Sequence, residues 1–225
     1  MPSKLTPMAT YNPLDKLNLA KSVAEALLDK EPVSLGEIGT FDGAGIYAIY
    51  YNGSSKPYKL MAARNAASAE WPIYIGKAIP SGGRKGAALL FSEITGRYLC
   101  NRLRDHADSV RAANNLNIEY FQCRYLAIDD IWIPLGETLL IAHFKPVWNL
   151  YLEGFGNHDP GAGRYQGLRP MWDVLHPGRA WAEKCRARPQ TADDLAQHVS
   201  EFLKTNEPPA DARFKFAQQD RTSST

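Results

Sequence analysis

Cysteine is scarce in this sequence. The three present, Cys100, Cys123 and Cys185, are an odd number, widely spaced and without a CxxC pair. That argues against a disulfide framework or a zinc knuckle and favours a reducing cytoplasm. Long apolar runs are missing as well. None approaches the roughly 20 residues a membrane helix needs, and no signal-peptide pattern opens the chain, so no membrane association is expected. The GxxxxGK[ST] spacing of a phosphate-cradling Walker loop is also absent, which leaves no sign of a nucleotide cofactor. Net charge is only +2, and the 44% apolar and 22% charged content is ordinary for a globular protein of 225 residues.

The little charge there is has been sorted along the chain. Residues 1–43 carry four lysines against six acids. Residues 76–111 carry seven basic residues against three acids, and residues 164–188 carry six against two. Two basic stretches on a near-neutral chain suit a groove for a polyanion, although charge alone equally describes a solvated face.

Two short runs rich in Ile and Tyr, Gly45-Ile46-Tyr47-Ala48-Ile49-Tyr50-Tyr51 and Ile73-Tyr74-Ile75-Gly76-Lys77, read as half-buried strands. Alternation puts Tyr47 on the face of Ile49 and sets Tyr74 opposite Ile73 and Ile75. One antiparallel register then brings both phenols to one face. An apolar helical period over 14–30 predicts an N-terminal helix, with a short strand at 33–38 after it. Residues 52–70 form an insertion too long for a tight hairpin, which must loop out and has an Ala-rich piece fit for two helical turns. Beyond Lys77, a flexible basic loop at 80–86 offers Arg84 and Lys85 to a phosphate backbone.

A helix is predicted from about Ser92 to Ala112, with Leu99, Leu103, His106 and Val110 on one stripe. His106 therefore lies among apolar residues, and Arg102 stands one turn before it. Residues 118–128 read as a third strand and 131–144 as a helix opened by Pro134. Leu140, Ile141 and Phe144 fall three, four and seven residues after Glu137, which assigns its carboxylate to the buried face. Such a group needs a partner, and a metal ion is a common one. Residues 154–169 are irregular and basic, suiting either a base-reading loop or a surface connection. A helix is expected at 191–203 and a frayed tail from about 206.

In order, these landmarks are Gly45-Ile46-Tyr47, Tyr74-Ile75-Gly76, Arg102 and His106 on a helix, helical Glu137, then Pro146, Trp148 and Asn149. The chain resembles the GIY-YIG nuclease superfamily, and within it the type II restriction endonucleases. The resemblance covers about residues 44–150. It implies an α+β fold, a ββαβα core with a small, mainly antiparallel sheet flanked by helices. Around it stand the N-terminal arm and helix (1–43), the 52–70 insertion and a C-terminal extension (151–225) suited to DNA contact or dimerisation. The insertion is longer than the family's usual connection and could serve either purpose.

The resemblance also implies roles. Tyr47 would deprotonate the attacking water, its own proton passing to His106 or to Lys77. Strict alternation would put Lys77 on the face opposite Tyr74 unless Gly76 breaks it. Arg102 would clamp the scissile phosphate with its planar fork and Tyr74 would hydrogen-bond it. Glu137 would hold one magnesium ion, and Asn149 would fix the active-site wall. Arg104, Arg164 and Arg169 would join Arg84 and Lys85 on the DNA. The implied activity is magnesium-dependent, site-specific hydrolysis of double-stranded DNA to 5′-phosphate and 3′-hydroxyl ends, by a homodimer on a palindromic site. The alternatives are a structure-specific repair or homing nuclease, and a non-catalytic DNA-binding protein on the same fold.

Overall fold

A computed structural model describes residues 12–80 and 96–209. Arg84, Lys85 and the basic loop from residue 81 onward lie outside the described residues. Twelve strands and helices build the described chain: α1 (Lys16–Leu28), β1 (Val33–Ser34), β2 (Gly45–Tyr51), α2 (Lys59–Asn65), β3 (Pro72–Ala78), α3 (Tyr98–Ala112), β4 (Phe121–Ala127), α4 (Ile133–Phe144), α5 (Val147–Leu150), α6 (Met171–Leu175), α7 (Ala180–Glu183) and α8 (Ala192–Thr205). The strands form one antiparallel sheet in the order β1-β4-β2-β3. The α+β class with helices flanking a small antiparallel sheet is thus observed. No described helix is long and apolar enough to cross a membrane.

Every residue of β2 is buried, because helices cover both faces of this interior strand. That explains its unbroken apolar and aromatic run, where a strand covered on one face would alternate with polar residues. One face, through Ile46, Ala48 and Tyr50, packs with Ala24, Leu27 and Leu28 of α1 and with Leu140 and Phe144 of α4. The other face, through Tyr47, Ile49 and Tyr51, packs with Leu99, Leu103 and Val110 of α3. Trp148, Trp172, Leu195 and Val199 from the C-terminal helices complete that second layer.

Several expected boundaries move for local reasons. The strand expected at 33–38 stops at Ser34, and Leu35–Glu37 forms a 3-10 turn. The Asn117 carboxamide accepts from the Glu119 amide, so Ile118–Tyr120 coils as a 3-10 turn and the third long strand starts only at Phe121. Helix α3 begins at Tyr98. Gly96 just before it has a φ of 128°, outside the helical range, and the expected start at Ser92 lies outside the described residues. A register shift between Ile49 and Tyr50 returns Ile73 to the cluster on Tyr74's side of the sheet, so Ile75 alone of its two neighbours faces away. Of the tail expected to fray from about 206, Arg64 donates to the carbonyls of Pro208 and Pro209, and residues 210–225 lie outside the described residues.

The 52–70 insertion loops out of the β2–β3 hairpin and packs back on the core. Tyr58 and Met61 are fully buried in the layer that also takes in the segment beyond residue 150. Tyr58 Oη meets His176 Nε2 at 2.6 Å and accepts from Trp148 Nε1 at 2.9 Å, while His176 Nδ1 lies 2.9 Å from Asn115 Oδ1. One buried network therefore ties insertion, core and extension together.

Burial pushes the His176 imidazole down from its ordinary 6.5 to about 3. Below about pH 6.5 the unfolded chain gains a proton there that the folded chain refuses, so stability should fall as pH falls, by up to ~1.4 kcal/mol per pH unit until about pH 3. Urea midpoints between pH 7 and pH 4 should decline more gently in His176→Gln than in the wild type.

Candidate active site

The antiparallel register opposes Tyr47 to Gly76 and Ile49 to Tyr74, so both phenols lie on one face, with ring centroids 6.3 Å apart. Gly76 is required by space. A Cβ there would stand 2.4 Å from Tyr47 Oη, so any side chain would displace the phenol. Helix α3 crosses this face, and its stripe brings His106, 1% exposed, onto the phenol. Tyr47 Oη and His106 Nε2 are 2.7 Å apart. Phe155 stacks on the other side of the imidazole at 4.5 Å with an interplanar angle of 17°.

Burial, reinforced by the neighbouring Tyr74, holds the Tyr47 phenol well above its usual range. Burial also drives the His106 imidazole well below its usual value, helped by the positive charge of Arg102. Both groups are therefore neutral at rest, and with its proton on Nδ1 the imidazole accepts from the phenol.

Arg102, one turn before His106, is half-buried at the rim. Its Nη2 donates to the Gly156 carbonyl at 2.8 Å, and its Nη1 meets His158 Nε2 at 2.5 Å. It also draws the Tyr74 phenol downward in pKa against the larger upward push of burial. Two groups from beyond residue 150 thus hold a guanidinium whose fork would suit two oxygens of a phosphate.

Lys77 obeys strict alternation. It pairs with Ile46 and lies on the α4 side of the sheet, where its Nζ meets Glu137 Oε2 at 2.6 Å. Glu137 shares the α4 face of the buried Ile133, Leu140 and Phe144, as its spacing predicts, and its side chain stands 16% exposed at the rim of that face. It is a hard oxygen donor already facing a cation, which suits a divalent ion such as magnesium. Among the described residues no three His, Cys, Asp or Glu gather to cage a metal, so further ligands would be water and substrate oxygens.

Asn149 bridges the two sides. β3 is an edge strand, and Asn149 Oδ1 accepts from Ile75 N at 2.8 Å while its Nδ2 donates to Ile75 O at 2.7 Å. The carboxamide replaces the strand neighbour that Ile75 lacks. The structure therefore gathers Tyr47, Tyr74, Arg102 and His106 on one side of β3, sets Lys77 with Glu137 on the other, and holds Asn149 at the edge between them.

The arginines expected on DNA fare differently. Arg104 donates to Thr40 Oγ1 at 2.8 Å and to Ile38 O, and Arg169 donates to the carbonyls of Ala182 and Glu183. Both guanidinium groups brace the fold. Arg164 is exposed and lines a cleft with His158, Leu168, Trp181 and Cys185 that opens beside Gly156. Sequence reasoning missed Phe155, Gly156 and His158 as neighbours of the catalytic candidates. Gly154-Phe155-Gly156 offered a faint signal, since paired glycines around an aromatic mark a tight backbone approach, but no periodicity ties them to α3.

Replacing Asn149 with Ala would orphan both polar groups of Ile75. Asn149→Ala should lower unfolding stability in urea by about 1–3 kcal/mol, and hydrogen exchange of the Ile75 amide should quicken more than that of the core amides of β2.

No curated protein matches the chain. The model of one protein family, described as the Eco29kI GIY-YIG domain, matches residues 39–203. The match runs well past residue 150 and takes in both the insertion and most of the segment beyond the five landmarks. With the Tyr47–His106 pair, Arg102 and Glu137 on suitable elements, the chain belongs to the Eco29kI GIY-YIG domain family, a restriction-endonuclease family of GIY-YIG nucleases.

Proposed function

We propose that this protein is a type II restriction endonuclease that hydrolyses phosphodiesters of double-stranded DNA at a specific site, with magnesium. The observation that carries this reading is the 2.7 Å Tyr47–His106 contact beside the Arg102 fork. Water approaches the phosphorus with its oxygen near the Tyr47 phenol. A buried phenol with a raised pKa cannot wait as a phenolate, so Tyr47 takes the water proton while passing its own to His106 Nε2. Free phenolate never accumulates.

His106 is the better acceptor of the two considered, because the Lys77 ammonium is engaged with Glu137 at 2.6 Å. As the P–O bond to water forms, the bond to the 3′ oxygen breaks, and that oxygen leaves to gain a proton from solvent. The ends are a 5′-phosphate and a 3′-hydroxyl. Arg102 keeps its Nη2 bond to the Gly156 carbonyl and turns its remaining donors from His158 to the non-bridging oxygens, where added negative charge develops, and Tyr74 donates to the same phosphate. Glu137 would hold the magnesium ion, which supplies Lewis-acid relief at the departing oxygen. Asn149 keeps β3, and with it Tyr74 and Lys77, in register.

Each chain carries one such cluster, so cutting both strands calls for two copies; a homodimer on a palindromic site meets that need. Arg164 is the exposed arginine best placed to contact DNA near the site. Three free thiols fit a cytoplasmic protein.

Plasmid incubated with magnesium should yield discrete fragments, EDTA should stop the reaction, and Glu137→Ala should cut at least ~10²-fold more slowly. Smeared products would favour a repair-type nuclease. DNA retarded on a gel but never cut would favour the binding protein and sink the role of Tyr47.

The acid limb of the rate profile adds a second test. His106 must be neutral to accept a proton, and its pKa is depressed, so cleavage should persist below pH 6.5 and fail only at lower pH. A limb well above pH 7 that moves in Lys77→Met would transfer the acceptor role to Lys77.

A further inference from the structure

Beneath residues 154–157 lies a buried ion pair that the chemistry above does not use. Arg179 is 5% exposed and Asp173 2%. Arg179 Nε donates to Asp173 Oδ1 at 2.6 Å and Nη2 to Oδ2 at 2.5 Å. The guanidinium lies between the indoles of Trp172 and Trp181, 4.6 and 4.8 Å from the ring centroids. Its other donors reach the chain above: Nη1 to Phe155 O at 3.0 Å and Asn157 O at 3.1 Å, and Nη2 to Gly154 O at 2.8 Å. All five guanidinium N–H groups are used, and the three donors of a lysine could not reproduce that fork.

Burying such a pair costs several kcal/mol of desolvation, and a well-packed apolar pair would often be as stable. The particular product of this arrangement is geometric. Three carbonyls of one strap are fixed from below, and the same strap meets the active site from above. The Phe155 ring stacks on His106, and the Gly156 carbonyl receives Arg102. Clearance there is small: a Cβ on Gly156 would stand 2.8 Å from Tyr74 Oη and 3.0 Å from Arg102 Nη2. A strap displaced by an ångström would strike the phenol or release the imidazole.

We propose that Arg179, held by Asp173, is a positioning residue for cleavage: it fixes residues 154–157 so that Phe155 covers His106 and the Gly156 carbonyl aims Arg102. The proposal rests on the nuclease reading for its rate effect, while the placement of His106 is measurable without turnover.

The test uses the full chain, with Arg179→Lys and Gly156→Ala beside the wild type. Three quantities are read: the single-turnover rate on plasmid, binding to the same DNA in EDTA, and the imidazole Cε1–H signal of His106 by NMR. The chain has five histidines, and His106→Gln assigns the signal. In Arg179→Lys the rate should fall about tenfold or more, DNA binding should stay within about twofold, and the His106 signal should move as Phe155 slides off it. Gly156→Ala, which leaves the ion pair intact, should lose rate to a similar degree because its Cβ presses on Tyr74 and Arg102, which checks the clearance of the strap; if Arg179→Lys does not fold, Arg179→Gln is read by the same three quantities in its place.

An unchanged rate in either folded variant overturns the proposal. So does a slower rate in Arg179→Lys with the His106 signal unmoved, which would assign the ion pair to general stability. Should the wild type cut no DNA at all, the nuclease reading fails. The His106 signal in Arg179→Lys then decides the positioning of the strap, and an unmoved signal overturns that as well.

Discussion

Between the sheet and α3, the Tyr47 phenol and the His106 imidazole share a hydrogen bond in a layer closed to solvent. Separating charge in such a layer is expensive, since an isolated buried ion loses far more hydration than one partner returns. The phenol's pKa is raised, the imidazole's is lowered, and the resting pair is neutral. The permanent charges of the candidate catalytic set are kept at the rim, with Arg102 half-buried on one side of β3 and the Lys77–Glu137 pair on the other. A phosphate arriving at that rim meets cations, and in the proposed reaction the attacking water is the one solvent molecule that must reach the phenol behind them.

The edge position of β3 makes this division possible. An interior strand has neighbours on both sides, but β3 leaves one side open, and side chains from its two faces can converge around that margin. An open edge also exposes unpaired backbone groups, and Asn149 closes the one that lies between the two halves of the site. Gly76 contributes by absence of a side chain. The strand passes directly over the Tyr47 phenol because nothing projects from it there.

The insertion and the extension behave as parts of the core. Tyr58, Trp148, His176 and Asn115 join four distant stretches by hydrogen bonds with little access to water. Arg179 and Asp173 repeat the pattern nearer the site. Each network is satisfied internally, so breaking one member leaves others orphaned, and neither segment can be trimmed without disturbing the layer that carries α3.

The sequence by itself determined the parts that depend on local chemistry. Period-two alternation placed both phenols, helical spacing set His106 among leucines, and a proline after Trp132 opened α4. The order of the motifs then pointed to the nuclease family. For Lys77 the sequence left two faces open, and the fold keeps strict alternation through Gly76, on the face away from Tyr74. What the sequence could not supply was the surroundings. Spacing put Glu137 on the face of α4 that packs on the sheet, but only the fold brings Lys77 to it. Likewise only the fold brings Arg104 and Arg169 the oxygens to which they donate. The strap at 154–157, with Arg179 beneath it and His106 above, joins residues about 20 to 70 positions apart, on segments that share no repeat. Side-chain periodicity reports which face a residue takes within its own element. Which partner meets that face is settled only when the elements pack.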